Sequence, residues 1–264
     1  MKEFTSRLQA QDAILVTVAG AEGSVPREPG AWMAVFADAV VGTIGGGRLE
    51  FDAIAAARER LAGATGDSMQ RYALGPSLGQ CCGGVVHLRF ERVGAADAPA
   101  LRERLAPPRA PVALFGGGHV GRAIVDVLIP LPFSVQWIDS RDEVFPAGLP
   151  VQVQCEHSDP VQAAVADVAP GARVLIMSFS HAEDLDILAA CLKRQRERAD
   201  LPYIGLIGSK TKWATFRHRL EARGFTEGEL AHVTCPIGVP GIAGKQPEVI
   251  AVAVAAQLLQ QPAG

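Results

Sequence analysis

With 264 residues, 48% of them apolar and 20% charged, the chain can bury one large core or two modest ones, which excludes disorder as its main state. A formal net charge of -3 excludes a general attraction for nucleic acid, and no run of about eighteen apolar residues offers a membrane span. The opening residues 1–5 lack the apolar core of a secretion signal, so the expected location is the cytoplasm. The five cysteines, at 81, 82, 155, 191 and 235, are odd in number and form no CxxC pair. In a reducing compartment they are expected to act as thiols rather than as disulfides or a zinc knuckle.

Taken in chain order, short strands are predicted at 14–18, 32–36, 40–43, 71–74 and 85–90, with one helix at 49–61. This predicts an α+β domain with mostly antiparallel pairing over residues 1–95. The stretch 94–111, GAADAPALRERLAPPRAP, has no buried-strand pattern and reads as a connection, with 96–111 taken as the linker. Beyond it, apolar runs at 112–115, 135–138, 151–153, 174–177, 204–207 and 232–235 alternate with helical stretches at 120–128, 161–168, 182–198 and 211–223. That alternation predicts an α/β domain over 112–264, a Rossmann-type doubly wound parallel sheet with helices on both faces. The tail 247–259, PEVIAVAVAAQLL, reads as a last buried helix with proline in its first turn.

Three glycine-bearing motifs punctuate the first domain. Residues 23–30, GSVPREPG, form a long turn presenting Ser24 and Arg27. Gly45, Gly46 and Gly47 lead into the 49–61 helix and expose amides at a helix N-terminus, a candidate anion seat. Residues 79–84, GQCCGG, precede a strand, and since neighbours in an extended chain point to opposite sides, one thiol at most faces a given cleft. Each of these, taken singly, also has a plainer explanation as a turn, and the vicinal cysteines as two small buried apolar residues.

The second domain carries Gly116, Gly117, Gly118, His119, Val120 and Gly121, which match GxGxxG between a strand and a helix. In that setting the first glycine makes the turn, the second admits a diphosphate to the backbone, and the third lets helix and strand pack. Asp139 closes the next strand, where an acid can accept from a ribose hydroxyl, and Arg141 leaves the choice between NAD and NADP open. His181, after the fourth strand, and Ser209 and Lys210, after the fifth, belong to loops at the same sheet end and can converge on one crevice. For His181, a helix-capping or solvated role is an equal alternative.

Together the motifs GSVPREPG, GTIGGGRLE, CGG from Cys82, FGGGHVGR, YIGLIGSK and PIGVPGIAGKQPE resemble the XdhC/CoxI family, in order from about residue 12 to 259. The resemblance implies an accessory chaperone rather than a catalyst. Such a chaperone would bind molybdenum cofactor (molybdopterin), support its sulfuration with a cysteine desulfurase, and deliver it to the molybdenum subunit of apo-xanthine dehydrogenase. Cys82 matches the family's cysteine before paired glycines and is the candidate to face molybdenum, a soft partner for a thiolate, whereas Cys81 is an extra. Phe179 stands where the family often carries the first of two histidines, leaving His181 alone and putting any role that needs both in doubt.

Two other readings stay open. An NAD(P)-dependent oxidoreductase could use the Rossmann domain, although neither Tyr72 nor Tyr203 has a lysine four residues on for proton transfer. A scaffold could use that domain only to dimerise. A homodimer is expected as the commonest soluble assembly.

Overall fold

The computed structural model describes residues 1–74, 83–106 and 108–261, and the chain divides into two units, Met1–Pro107 and Pro108–Gly264. Among the described residues no helix is long and apolar enough to cross a membrane.

The first unit is built on an antiparallel five-stranded sheet. Its strands are β1 (Ala13–Glu22), β2 (Trp32–Val35), β3 (Val40–Gly42), β4 (Met69–Ala73) and β5 (Val85–Val93), in the order β3-β2-β1-β5-β4. From Ala13 to Val18, central β1 is apolar apart from Thr17, because both of its faces are covered there. Ile14, Val16 and Val18 pack with Met33, Val35 and Leu88 against Leu49, Ala53 and Ala57 of α2 (Gly47–Leu61). Ala13 and Leu15 turn the other way, onto Phe4 and Leu8 of α1 (Lys2–Leu8) and Ala98 and Leu101 of α3 (Ala98–Arg104). The predicted strands and the helix at 49–61 are present with ends moved by a few residues, and α1 and α3 are additions.

The stretch read as a linker is therefore largely folded. It holds a 3-10 turn (Ala95–Asp97), then α3, whose Ala98 and Leu101 are buried in the first unit, and it ends inside the first strand of the second. Its alanines and prolines look like loop composition, but Ala98 and Leu101, three apart, bury one face of a helix.

The second unit is a parallel six-stranded sheet of β6 (Ala110–Phe115), β7 (Phe133–Asp139), β8 (Val153–His157), β9 (Arg173–Ile176), β10 (Tyr203–Leu206) and β11 (Val233–Thr234). The order is β11-β10-β9-β6-β7-β8, so the winding reverses between β6 and β9. Alternate residues of β6 serve opposite faces. Ala113 and Phe115 pack with α5 (His181–Arg198), α6 (Lys210–Ala222) and a 3-10 segment (Val161–Asp167). Val112 and Leu114 pack with α4 (His119–Leu128) and α8 (Pro247–Leu259). A short α7 (Glu227–Leu230) precedes β11.

Two expectations shift. The run at 151–153 becomes a strand only from Val153, with Val151 left 88% exposed. The tail helix buries Ala251, Val254 and Leu258 against α4 but leaves Val252 and Leu259 about half exposed, so its uniformly apolar composition does not mean burial all round.

Candidate functional site

The turn from β6 into α4 lies where the sheet reverses, beyond the carboxyl ends of the strands, the usual ligand position in such sheets. Its glycines are there for different reasons. Gly116 has φ +125°, and a Cβ on it would overlap the Met177 carbonyl at the end of β9. A Cβ on Gly117 would meet both methyls of Val144 at 2.6 Å, and one on Gly121 would overlap the Gly116 carbonyl. Gly118 has φ -69°, a conformation open to any residue, and a Cβ there would meet no protein atom within 4 Å. Gly118 and His119 are exposed at the start of α4, and no side chain caps that helix. Ser180, Ser209 and Thr226 do cap α5, α6 and α7.

Asp139 is 2% exposed, and both of its oxygens are engaged. Oδ2 accepts from the Gly117 amide at 2.6 Å and from Arg141 Nη2 at 2.9 Å; Oδ1 accepts from the Arg141 amide at 2.9 Å and Arg141 Nε at 2.8 Å. Burial raises the carboxyl's pKa, but the Arg141 guanidinium and the two amides outweigh it and hold the group below the ordinary carboxylate range. The acid expected to meet a ribose hydroxyl is thus occupied by its own neighbours.

The turn after β9 is fastened from below. The Ser178 amide and hydroxyl both donate to Asp184 Oδ1 at 2.8 Å, and Ser180 Oγ accepts from the Glu183 amide. Asp184 Oδ2 takes Lys212 Nζ at 2.6 Å, and Lys212 also donates to the Ile207 carbonyl at 2.8 Å. This pair is nearly buried, with side chains 3% and 12% exposed. His181 is exposed, with its ring edge-on to Phe216 at 6.2 Å. Ser209 caps α6 through the Lys212 amide, and Lys210 is exposed, with no charged partner among the described residues. The Asp184–Lys212 pair is 28 residues apart in sequence and carries no local signal that reading along the chain could find.

In the first unit the glycine motifs meet. A Cβ on Gly45 would lie 2.6 Å from Pro26 Cβ and 3.2 Å from Arg27 Cγ, so the 45–47 loop rests on the 23–30 turn. Gly84 rests on the same turn, against the Ser24 carbonyl. The amides expected to form an anion seat are largely taken: Glu50 Oε2 accepts from Ile44 and Gly46 at 3.0 and 3.1 Å, and Thr43 Oγ1 accepts from Gly45. What remains for an external anion is the start of α2, at Gly47. Burial raises the Glu50 carboxyl's pKa, but the Thr43 hydroxyl and these amides lower it further, so the loop carries its own anion.

Cys82 and Cys81 lie outside the described residues. Of the described cysteines, Cys191 and Cys235 are pushed up by burial, to about 12 and about 11, and Cys155 is raised for the same reason. At neutral pH these three are thiols, which are poorer metal ligands than thiolates. Among the described residues no group of three His, Cys, Asp or Glu side chains gathers as a metal site.

A parallel sheet in this strand order, with a glycine turn opening a helix at the reversal, defines a Rossmann-type domain, here in one chain with an antiparallel α+β unit. The chain belongs to the XdhC and CoxI family: the family model of the XdhC Rossmann domain matches residues 112–258, and that of the XdhC and CoxI family matches residues 6–73. The uncharacterised protein YqeB of Escherichia coli (strain K12) is 29% identical over 98% of this chain, which spans 46% of YqeB. The fold is similar to that of a Bacillus halodurans protein described as a xanthine dehydrogenase. The TM-score is 0.76 at 20% identity, over 98% of this chain and 94% of the other.

Proposed function

We propose that this chain is a maturation factor for xanthine dehydrogenase, a chaperone that binds molybdenum cofactor, supports its sulfuration by a cysteine desulfurase and delivers it to the apo-enzyme. Family membership supports the maturation role, and the structural neighbour described as a xanthine dehydrogenase agrees with it. The observation that carries the binding part is Gly118. Neither backbone conformation nor packing calls for a glycine there, so the empty Cβ position at an uncapped helix start is space for a ligand's phosphate.

A phosphate of molybdopterin, or of a nucleotide joined to it, fits this turn, with the Gly118 and His119 amides as the groups that would hold it. His181, Ser209 and Lys210 stand at the same end of the sheet. When bound, the cofactor supplies the molybdenum centre; the chain's part is to hold, shield and release it. Taken by itself, the first unit offers Gly47 and the 23–27 turn as candidates for an anionic contact, and Cys82 as the candidate thiol. The tyrosines favour this reading over nicotinamide-dependent oxidation. The Tyr203 hydroxyl donates to Gln257 Oε1 at 2.7 Å, and burial drives the ionisation of both Tyr203 and Tyr72 upward, away from the range useful for proton transfer.

The test is pterin and molybdenum content of the protein after incubation with cofactor, read beside activation of apo-xanthine dehydrogenase. Gly118→Leu should reduce retention at least about tenfold by blocking the phosphate's approach. Cys82→Ala should lower molybdenum content or sulfuration while Cys81→Ala behaves as wild type. A wild-type protein that retains neither pterin nor molybdenum, and activates nothing, overturns the proposal.

A further inference from the structure

We infer that Arg141 and Phe179 form the seat for the planar ring of the ligand whose phosphate the glycine turn receives, and that Asp139 serves this seat by orienting Arg141. The inference rests on the phosphate-site reading of Gly118. Strands β7 and β9 flank β6 on its two sides, so their ends stand about 10 Å apart across the glycine turn. Arg141 follows β7 and Phe179 follows β9, yet the guanidinium carbon lies 4.8 Å from the phenyl centroid. The two side chains therefore meet across the end of β6, beside the turn.

Both are held at the base and open at the tip. Asp139 grips Nε and Nη2 of Arg141, leaving Nη1 without a partner among the described residues and the side chain 40% exposed. Phe179 projects 68% exposed from the turn that Ser178, Ser180 and Asp184 fasten. Exposed phenylalanines are common singly. One pinned under an oriented guanidinium, beside the exposed start of α4 at Gly118, is a flat receptor. A purine or pterin ring entering between them needs the pair to part from 4.8 Å to about 7 Å, two stacking distances.

Local charge points to a ring rather than to another phosphate. Asp139 already neutralises Arg141, and the Glu183 carboxylate also bears on it. Glu183 accepts from Ser140 Oγ through Oε1, while its Oε2 is buried with no hydrogen-bond partner among the described residues. Asp139, with four donors on two oxygens, has no acceptor position left for a ribose hydroxyl.

Calorimetry on the full chain with ADP, GDP and ring-free pyrophosphate tests this. Wild type should bind at least one nucleotide more tightly than pyrophosphate. Phe179→Ala and Phe179→Leu should each weaken nucleotide binding about tenfold and leave pyrophosphate unchanged, while Phe179→Tyr preserves both. Leucine restores apolar bulk but not a flat face, so rescue by Leu as well as Tyr would reduce Phe179 to packing and overturn the inference. So would nucleotide binding that both variants leave as in wild type. Wild-type binding of pyrophosphate with no preference for the nucleotides overturns the ring seat alone, whereas binding of none of the three overturns the phosphate site with it. Wild type should also bind 2′-deoxy-ADP as it binds ADP. A deoxy penalty that disappears in Asp139→Asn would return Asp139 to the ribose.

Discussion

Asp139 shows how much a single carboxylate's meaning depends on what surrounds it. At the end of a Rossmann strand an acid is expected to be a ligand's acceptor, but here Gly117 and Arg141 fill both oxygens and the group is closed off from solvent. Its work is to tie the glycine turn to the loop after β7. That tie has a pH signature. The folded pKa is depressed below an unfolded value of about 4, so the stabilisation is complete above that value and is lost as pH falls through the folded one. Asp139→Asn should therefore cost about 1–2 kcal/mol at pH 7, a charge-assisted bond discounted for the exposed arginine, with the gap to wild type closing as pH falls below the unfolded value. Urea unfolding of both proteins across that range measures it, and a gap independent of pH would show that the carboxylate's charge plays no part.

At the scale of the element, the turn between β9 and α5 is the most heavily braced piece of the site. Ser178 hangs on Asp184 from the first turn of α5, and Asp184 is pinned in turn by Lys212 from α6, which reaches back to the carbonyl of Ile207 after β10. The two connections that follow β9 and β10 at the carboxyl end of the sheet are thus joined through one ion pair. Removing a single partner leaves the other charge buried alone, which costs about 3–5 kcal/mol, whereas removing both restores an uncharged interior. Asp184→Ala should show a loss of that order in urea unfolding, and Asp184→Ala with Lys212→Met should recover much of it. A single variant within about 1 kcal/mol of wild type would show the pair to be solvated in solution.

For the whole molecule, the two units have separate cores and separate glycine loops, as the two family matches over residues 6–73 and 112–258 also divide it. In the proposed role the chain must dock a much larger enzyme, so affinity capture on the tagged chain should recover the molybdenum-binding subunit of its dehydrogenase, and the cysteine desulfurase during sulfuration. Recovery of neither from cells making an active dehydrogenase would count against delivery. Analytical ultracentrifugation of the free protein should show the expected homodimer. YqeB, about twice the length of this chain, joins a matching stretch to further sequence, so the partner surface is best sought with the native, full-length protein.

Much of this was readable along the chain. Strand–helix alternation, the GxGxxG turn and the glycine clusters depend on neighbours a few residues apart, and those local patterns are what a parallel sheet and its phosphate turn require. The segment 94–111 was misread because a short alanine- and proline-rich helix has little local signature; its helix is held by Ala98 and Leu101 against residues far away in sequence. The same limit applied at the sites. That Glu50 fills the amides of the 45–47 loop, that Asp139 turns to Arg141 and Gly117, and that Asp184 finds Lys212 are choices of orientation among several donors. Sequence sets which groups are available, but buried polar groups must each find a partner, and only the packed structure decides which one.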